Sequence, residues 1–395
     1  MTAPFDPYDD RSEIGRDVLD AHVATTPIRP ARLIDVLGRT RAALGLKPLT
    51  APALLFVPIG AILGPAGAGW LGLDLLGRLY PAMSTALAAL GIFVGLGMSL
   101  DQRSERRLLA AASLEAVVTI ALVSGAFVYV LTAWEVRPDI GLLPLALALG
   151  LCASATAAGV APADAPLADR LAVRIADLDD VLPIAIGGVV LALAATSAPL
   201  EVLRLAAGNV ALGLSVAVAG WLLFDRAHGE AERAVFVIGV VALLGGGAAY
   251  LGVSPLLSGM VAGLFWKYAP GRADTIIRDD LRRLQHPLVV LLLIFAGASA
   301  QPSTLALWLL GPYVLVRLAG KLAGGWLVSR VMFELSPGDI GSHLLAPGVI
   351  GLAFALAFHH ASGTTASLAV LTAVAAGTLI GEVLAAFALV GPGRR

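Results

Sequence analysis

Long apolar stretches, separated by short polar joints, make up almost all of this 395-residue chain after Thr50. A helix needs about 20 residues to cross the hydrocarbon core of a membrane. The stretches predict twelve such spans, which we number 1 to 12 in chain order. They lie at residues 51–64, 81–100, 107–132, 140–161, 173–196, 200–224, 232–250, 253–267, 287–300, 304–329, 341–360 and 366–391. The pattern therefore predicts an all-α polytopic membrane protein.

Composition excludes several other classes of protein. Apolar residues make up 58% of the chain and charged residues only 14%, whereas charged residues make up about 25% of a soluble globular domain. The single cysteine excludes a fold held together by disulfides. The net charge of −1 argues against a nucleic acid as partner. Membrane lipid is therefore the expected surrounding of the chain.

Residues 1–50 differ from the rest of the chain, because they carry seven basic and seven acidic side chains. They lack the apolar segment of a cleavable signal peptide. We predict a soluble cytoplasmic extension at residues 1–50, with residues 34–37 as a candidate for a short surface helix. The membrane domain is then predicted at residues 51–391.

Basic residues accumulate on one side of the predicted spans, and loops rich in Lys and Arg usually lie in the cytoplasm. With a cytoplasmic N-terminus, the inside loops and tails hold 22 of the 27 Lys and Arg residues. The outside joints hold only Arg78 and Arg137. An even number of spans preserves this alternation, so we predict that both termini are cytoplasmic.

Ionisable side chains in the apolar spans are expected to have a function, since each costs about 2.5–3.5 kcal/mol or more at the centre of a spanning helix. They are Glu115 in span 3, Asp179 and Asp180 in span 5, Arg317 and Lys321 in span 10, and Glu382 in span 12. Two adjacent carboxylates cannot both ionise cheaply where the dielectric constant is low. Such a pair can hold a proton at one pH and a small hard cation at another.

The basic residues of span 10 have more than one interpretation. A lysine within reach of the aspartates can hold one carboxylate ionised, which favours Lys321 as their partner. A charge network that only fixes helix packing is the alternative. Arg317 lies four residues earlier, on the same helix face, and either anchors the helix or pairs with Glu115 or Glu382. We interpret these two glutamates as structural or loosely coupled to the site.

Spans 4 and 11 have unusual sequences for spanning helices. Span 4 contains Ser154 and Thr156, followed by a glycine, and span 11 contains Pro347, Gly348 and Gly351. Such residues in mid-span are typical of helices that break and expose backbone groups to a cavity, although close helix packing through small residues is an alternative. Spans 3–5 and 10–12 run in opposite senses. The two breaks therefore predict an inverted-topology repeat with an ion site at its interface.

Several short motifs resemble those of one known family. They are residues 60–65 (GAILGP), 95–101 (GLGMSLD) and 251–264 (LGVSPLLSGMVAGL), the pair Asp179-Asp180 followed by Val-Leu, and Gly320-Lys321. Together they resemble the monovalent cation:proton antiporters, the superfamily that contains the sodium/proton antiporters NhaA and NapA, and family 2 in particular. Each motif is weak alone, but their order and their places in the spans make the resemblance specific.

The resemblance covers about residues 51–391 and implies roles for the site residues. Asp180 would be the principal carboxylate for the cation and the proton. Asp179 would pair with Lys321 when no ion is bound.

Span 4 would contribute the remaining ligands of this implied ion site. Thr156 would supply the hydroxyl of the broken span, with Ser154 close by. NhaA-type members often have an aspartate at the position of Ala157, so this chain departs from their pattern there. This departure fits family 2 and leaves ion selectivity open.

The resemblance also implies the function and the assembly. The chain would be a secondary transporter and not an enzyme, exchanging Na⁺, or else Li⁺ or K⁺, for protons by alternating access. Lys321 would bind a second proton, so that exchange is electrogenic. Core helices at about 107–196 and 304–391 would move against scaffold helices at about 51–100 and 200–300. A homodimer, formed through spans 1, 2 and 7–9 in a prokaryotic inner membrane, is expected, with no cofactor besides the transported ions.

Two other classes fit the sequence less well. An intramembrane aspartyl protease needs two facing carboxylates, but adjacent residues of a helix point about 100° apart. A sodium-coupled organic-anion symporter on a related fold would need a wide polar cavity. Spans 4 and 11 offer few side-chain donors for such a cavity beyond Ser154 and Thr156.

Overall fold

The computed structural model describes residues 51–100, 103–157, 167–224, 226, 229–271, 273–333 and 340–390. The predicted extension at residues 1–50, with its candidate helix at residues 34–37, lies outside this part of the chain. The described residues form thirteen α-helices and no strand beyond one isolated bridge. The all-α prediction is therefore confirmed for them.

The helices follow one another with short connections. Their bounds are α1 Pro52–Leu63, α2 Leu73–Gly97, α3 Arg103–Ala133, α4 Leu142–Ser154, α5 Leu167–Leu178, α6 Val181–Ala195, α7 Pro199–Phe224, α8 Glu230–Leu251, α9 Pro255–Tyr268, α10 Ala273–Ser299, α11 Thr304–Val328, α12 Val349–Ser362 and α13 Thr365–Val390. A π-helical turn, Ser329–Phe333, follows α11, and a 3₁₀ turn, Gly341–Leu344, precedes α12.

Eight of the described segments are long and apolar enough to cross a membrane, with α5 and α6 counted together as Ala168–Ala195. Three shorter apolar helices, α1, α4 and α12, accompany them. The chain is therefore a multi-pass membrane protein. Helix α9, the counterpart of predicted span 8, belongs to neither group, so the count of twelve spans stays a prediction.

Two helices begin much earlier than predicted. Helix α2 begins at Leu73 and contains Pro81, and α10 begins at Ala273 and contains Pro287. The sequence pattern places both prolines at the start of a span, but each lies inside a continuous helix. In α10 the charged first half still buries Ile277 and Leu281, one helical turn apart, so an apolar face and not average hydropathy decides where the helix begins.

The separation of α8 from α9 is confirmed at the predicted joint. Gly252 ends α8 in the left-handed region with φ of 66°, which glycine adopts without steric cost. The Ser254 side chain then accepts a hydrogen bond from Leu257 N at 3.3 Å, and Pro255 takes the first position of α9. These are standard stop and start signals of helices.

Small residues allow several helices to pack backbone against backbone. A Cβ atom at Gly91 or Gly95 of α2 would collide with main-chain atoms of α9, and one at Gly259 or Gly263 of α9 would collide with α2. Helices α1 and α10 approach each other in the same way. Close approach through small residues is a common way to pack helices in lipid.

Helices α4 and α12 stop in the interior of the molecule, where their extended ends cross. Helix α4 ends at Ser154 and α12 is preceded by Gly348, both next to extended backbone. Thr156 and Pro347 form an antiparallel bridge. Ala157 N donates to the carbonyl of residue 346 at 3.0 Å, and Gly348 N donates to the carbonyl of residue 155 at 3.1 Å. The breaks predicted in spans 4 and 11 are therefore present, whereas the inverted repeat stays a prediction.

Glycine is required on the α12 side of this crossing. A Cβ atom at Gly348 would lie 2.8 Å from the backbone of Thr156, and one at Gly351 would collide with the carbonyl of Cys152. Any larger residue would push the two extended segments apart. The glycines of span 11 thus decide how closely the two chain segments cross.

Candidate ion site at the helix crossing

The paired aspartates lie at a joint between two helices. Helix α5 ends at Leu178 and α6 begins at Val181, so Asp179 and Asp180 form the turn between them. Pro183 has no N–H to donate to the carbonyl of Asp179, which explains the interruption. The chain keeps its direction because Asp179 N still donates to Ile175 O at 2.9 Å. Asp179 is fully buried and Asp180 is half-buried.

Lys321 of α11 is the basic centre of the site. Its Nζ donates to Asp179 Oδ2 at 3.1 Å, to Glu115 Oε2 at 3.1 Å and to the main-chain carbonyl of Ser154. The side chains of Lys321, Asp179 and Glu115 are all fully buried. An ammonium group has three donors, and here each has an acceptor. Buried charges require this kind of full pairing.

Glu115 of α3 has a larger part in the site than the sequence suggested. Besides the ion pair with Lys321, its Oε1 accepts a hydrogen bond from Thr119 at 2.8 Å. Glycines bring α11 close enough for these contacts, since a Cβ atom at Gly324 would lie 3.1 Å from Glu115 Cγ. The spacing of Glu115 and Thr119, one turn apart on α3, was the available sequence signal for a held carboxylate.

Arg317 binds main-chain carbonyls and not a glutamate. Its Nη1 donates to Leu345 O at 2.7 Å, and its Nη2 donates to Ala155 O at 3.3 Å. The residue is only 3% exposed. Glu382 lies within electrostatic range of Arg317, but the two make no hydrogen bond in the described part of the chain. Arg317 thus joins the extended ends of both broken helices.

The two hydroxyl residues of span 4 lie in the site in different ways. The Ser154 hydroxyl donates to Leu151 O within α4 at 2.9 Å, so Ser154 contributes its carbonyl to Lys321 and not its hydroxyl. Thr156 Oγ1 is buried and close enough to interact with the Asp179 carboxylate, but it makes no contact of ordinary hydrogen-bond geometry within the described residues. Only Thr156 therefore offers a free hydroxyl oxygen to a ligand.

A cavity of about 640 Å³ reaches Asp180 from one side of the molecule. Asp180, Thr156 and Asp177 line it together with side chains of α2, α10 and the start of α12. Asp179 and Glu115 are not part of its wall. The cavity therefore gives solvent a route to Asp180 and the Thr156 hydroxyl, behind which Asp179 and Lys321 are buried.

Charged side chains line the cavity further from Asp180. Arg174 pairs with Glu105 at 2.7 Å and with Asp177 at 3.5 Å, and Arg278 donates to Leu96 O at 2.8 Å. The Asp177 side chain is 41% exposed. These groups give the cavity a polar wall down to the aspartates, as an ion pathway requires.

Two aromatic rings meet at the other end of α2 and α12 from the larger cavity. The rings of Tyr80 on α2 and His360 on α12 stack with centroids 3.1 Å apart. A cavity of about 130 Å³ beside them includes neither Asp179 nor Asp180 in its wall. The aspartates are thus accessible from the side of the larger cavity.

Three oxygen atoms at the inner end of this region have no hydrogen-bond partner. They are Asp179 Oδ1, Asp180 Oδ1 and Thr156 Oγ1, all buried. Hard cations take oxygen ligands, so these atoms suit a small monovalent cation that competes with protons. Within the described residues no cluster of three or more His, Cys, Asp or Glu side chains could hold a metal ion. The three oxygen atoms are therefore the candidate ligands of a small cation at this place.

Comparison with known proteins agrees with this geometry at the level of the fold. No protein-family model matches the chain, and no curated protein sequence does either. The solved structure of the sodium proton antiporter MjNhaP1 from Methanocaldococcus jannaschii at pH 8 matches with a TM-score of 0.62. The match covers 89% of this chain and 96% of that one, at 18% sequence identity. The chain has the fold of this antiporter.

Proposed function

We propose that the chain is a secondary transporter, not an enzyme, that exchanges a monovalent cation for protons. Na⁺ is the proposed cation, with Li⁺ and K⁺ as the other candidates. The observation that carries the proposal is the Asp179–Asp180 pair, which lies beside the crossing of two broken helices at the end of a one-sided cavity. The fold shared with a sodium proton antiporter supports the same proposal.

Competition at the aspartates is the proposed mechanism. Asp180 lies in the cavity wall with a free Oδ1, so a cation or a proton arriving from the cavity meets it first. Asp179 and the Thr156 hydroxyl supply further oxygen ligands once the cation has lost water. Because one carboxylate cannot hold both ions, binding of the cation releases protons, and binding of protons releases the cation.

Alternating access would carry the bound ion across the membrane. The helices around the crossing (α3–α6 and α11–α13) would move against α1, α2 and α7–α10. The cavity supports this proposal, since it separates Asp180 from α2 and α10 on one side, while Tyr80 of α2 and His360 of α12 are in contact at the other. By the distribution of basic residues, the open side is cytoplasmic. Exchange of two protons for one cation would make turnover electrogenic.

A homodimer in a prokaryotic inner membrane, formed through α1, α2 and α8–α10, completes the proposal. The likeness to the antiporter MjNhaP1 does not favour the symporter alternative.

Purified protein in proteoliposomes with an imposed pH gradient tests the proposal. Addition of Na⁺, Li⁺ or K⁺ should collapse the gradient, and the active cation is the substrate. D180N should abolish this response while the protein remains folded, because removing a buried charge without a partner lowers a desolvation cost. E201Q, which removes a carboxylate from an exposed pair with Arg204 outside the cavity, is the control and should keep exchange.

Three results would contradict the proposal in whole or in part. Intact exchange by folded D180N would overturn the site assignment. If the folded wild-type protein responds to no cation, exchange itself is wrong, and uptake of organic anions coupled to Na⁺ becomes the next assay. Turnover that does not respond to voltage would contradict electrogenic exchange alone.

A further inference from the structure

Lys321 has two carboxylate partners, which is one more than a simple pairing with the ion site requires. Asp179 Oδ2 and Glu115 Oε2 each lie 3.1 Å from its Nζ, and all three side chains are fully buried. If a cation or a proton neutralises Asp179, Lys321 still has Glu115 as a counter-charge. A buried ammonium that lost its only partner would be strongly destabilised.

Glu115 is held apart from the path of the ion. Thr119 donates to its Oε1 at 2.8 Å, and the close approach of α11 at Gly324 packs against its side chain. Glu115 does not line the cavity that reaches Asp180. Its contact with Lys321 can therefore persist while ions exchange at the aspartates.

The other charged groups near Lys321 have different partners. Arg317, one turn away on the same helix, binds the carbonyls of Leu345 and Ala155. Glu382 of α13 lies within electrostatic range of Arg317, and Asp177 pairs with Arg174. In the described structure, Glu115 and Asp179 are the carboxylates that contact Lys321 directly.

We infer that Glu115 is the positioning residue that keeps Lys321 paired and in place while ions exchange at Asp179. The inference rests on the proposed exchange of a cation for protons. With the cation bound, both aspartates are ionised around it, and Lys321 and Glu115 neutralise each other. With protons bound, Asp179 and Asp180 each carry one, and the Lys321–Glu115 pair is unchanged.

This arrangement balances the charges while the Lys321–Glu115 pair stays as it is. Two protons leave the aspartates for each monovalent cation that enters, so the site changes by one net negative charge. The sequence-based expectation that Lys321 binds the second proton is replaced by one in which the two aspartates carry both. Exchange stays electrogenic, and the role of Lys321 becomes electrostatic.

The variant E115Q tests the inference in proteoliposomes. Lys321 would then have Asp179 as its one carboxylate and would compete with the cation for it. We expect the KM for the cation to rise about tenfold, with a smaller change in maximal turnover. The number of charges moved per cation should fall, because Lys321 would hold Asp179 ionised.

Two further variants serve as controls for E115Q. E115D should bring the KM for the cation and the number of charges moved per cation part of the way back to their wild-type values. E201Q, which removes a carboxylate from an exposed pair with Arg204, should leave both unchanged. If E115Q has the wild-type KM and charge ratio, or loses only turnover, the inference is wrong while the proposed function stands. A wild-type protein without exchange would instead overturn the proposed function.

A stability measurement tests the inference independently of transport. Thermal unfolding of D179N, E115Q and the double variant D179N/E115Q forms a double-mutant cycle. The double variant should lose more than the sum of the single losses, because Lys321 is then buried without a carboxylate. Adding K321M to the double variant should restore stability, which also covers the case in which the double variant does not fold. Additive losses, or no recovery with K321M, would overturn the inference.

Discussion

The two basic residues of α11 lie one turn apart, and they belong to regions with different chemistry. Lys321 contacts carboxylates on α3 and at the α5–α6 joint, whereas Arg317 contacts carbonyls at the ends of the two broken helices. Both are buried. The partners of Lys321 include charged carboxylates, whereas the carbonyls around Arg317 carry no net charge.

The residue types suit the two regions. A guanidinium is planar and presents several donors in a fixed arrangement, so Arg317 can join two carbonyls from separate segments. An ammonium is a compact charge whose contacts adapt when a neighbouring carboxylate takes up a proton. The comparison assigns ion chemistry to the region of Lys321 and backbone support to that of Arg317. Substitutions in each region should therefore affect different measured quantities.

The largest effect is expected for K321Q. It leaves Asp179 and Glu115 buried without a cation, and breaking such a pair costs about 3–5 kcal/mol. We expect exchange to fall about 100-fold or more and the melting temperature to drop. The loss of stability should be greater at high pH than at low pH, because an unpaired buried carboxylate is costly only in its charged form.

Thermal unfolding of K321Q across pH, together with proteoliposome assays, checks this prediction. The wild-type protein over the same pH range is the control. If folded K321Q kept near wild-type exchange, the region around Lys321 would have no part in the ion chemistry.

An intermediate effect, on stability more than on transport, is expected for R317A. The carbonyls of Leu345 and Ala155 lose hydrogen bonds from a charged donor, each worth about 1.5–3 kcal/mol. The melting temperature should fall, while the KM for the cation stays within about threefold of the wild-type value. R317K should lie between R317A and the wild type, since an ammonium cannot reproduce the geometry of the guanidinium. If R317A raised the KM for the cation and left the melting temperature unchanged, Arg317 would belong to the ion chemistry and not to the support of the backbone.

The smallest effects are expected from the hydroxyls of span 4. T156V removes the free hydroxyl near Asp179 and should raise the KM for the cation about tenfold or less. S154A removes a hydroxyl already bonded within α4, so its KM should change less than about twofold. Measuring both variants in one series gives each a control of similar size. Equal effects would mean that the difference between the two hydroxyls is not functional.

The breaks in spans 4 and 11 show what local sequence determines. In span 11, Pro347 and Gly348 lie together at the break, where one lacks an N–H and the other a Cβ atom. Pro183, after the aspartates, also lacks an N–H. A single proline is not enough by itself, since Pro81 and Pro287 lie within continuous helices. The apolar stretches likewise predicted nearly all the helices, though α2 and α10 begin earlier than hydropathy indicated.

The pairing of side chains could not be obtained from these local patterns. Glu115 and Lys321 are 206 positions apart in the chain, and Arg317 had two glutamates as equally reasonable partners. The glycines at positions 320 and 324 bring α11 close to α3, and this approach decides which base meets which acid. Nor does the sequence show that Ser154 contributes its carbonyl instead of its hydroxyl.

The sequence by itself determined a helical membrane protein with two interrupted spans and an aspartate pair, because periodicity, proline, glycine and hydropathy act within a few residues. The tertiary structure decided that Lys321 shares two carboxylates and that Arg317 joins two carbonyl ends. Such contacts depend on distances between helices that are remote in the chain. Electrostatic and hydrogen-bond energies change steeply over those distances, so a displacement of about one ångström changes the partner of a buried charge.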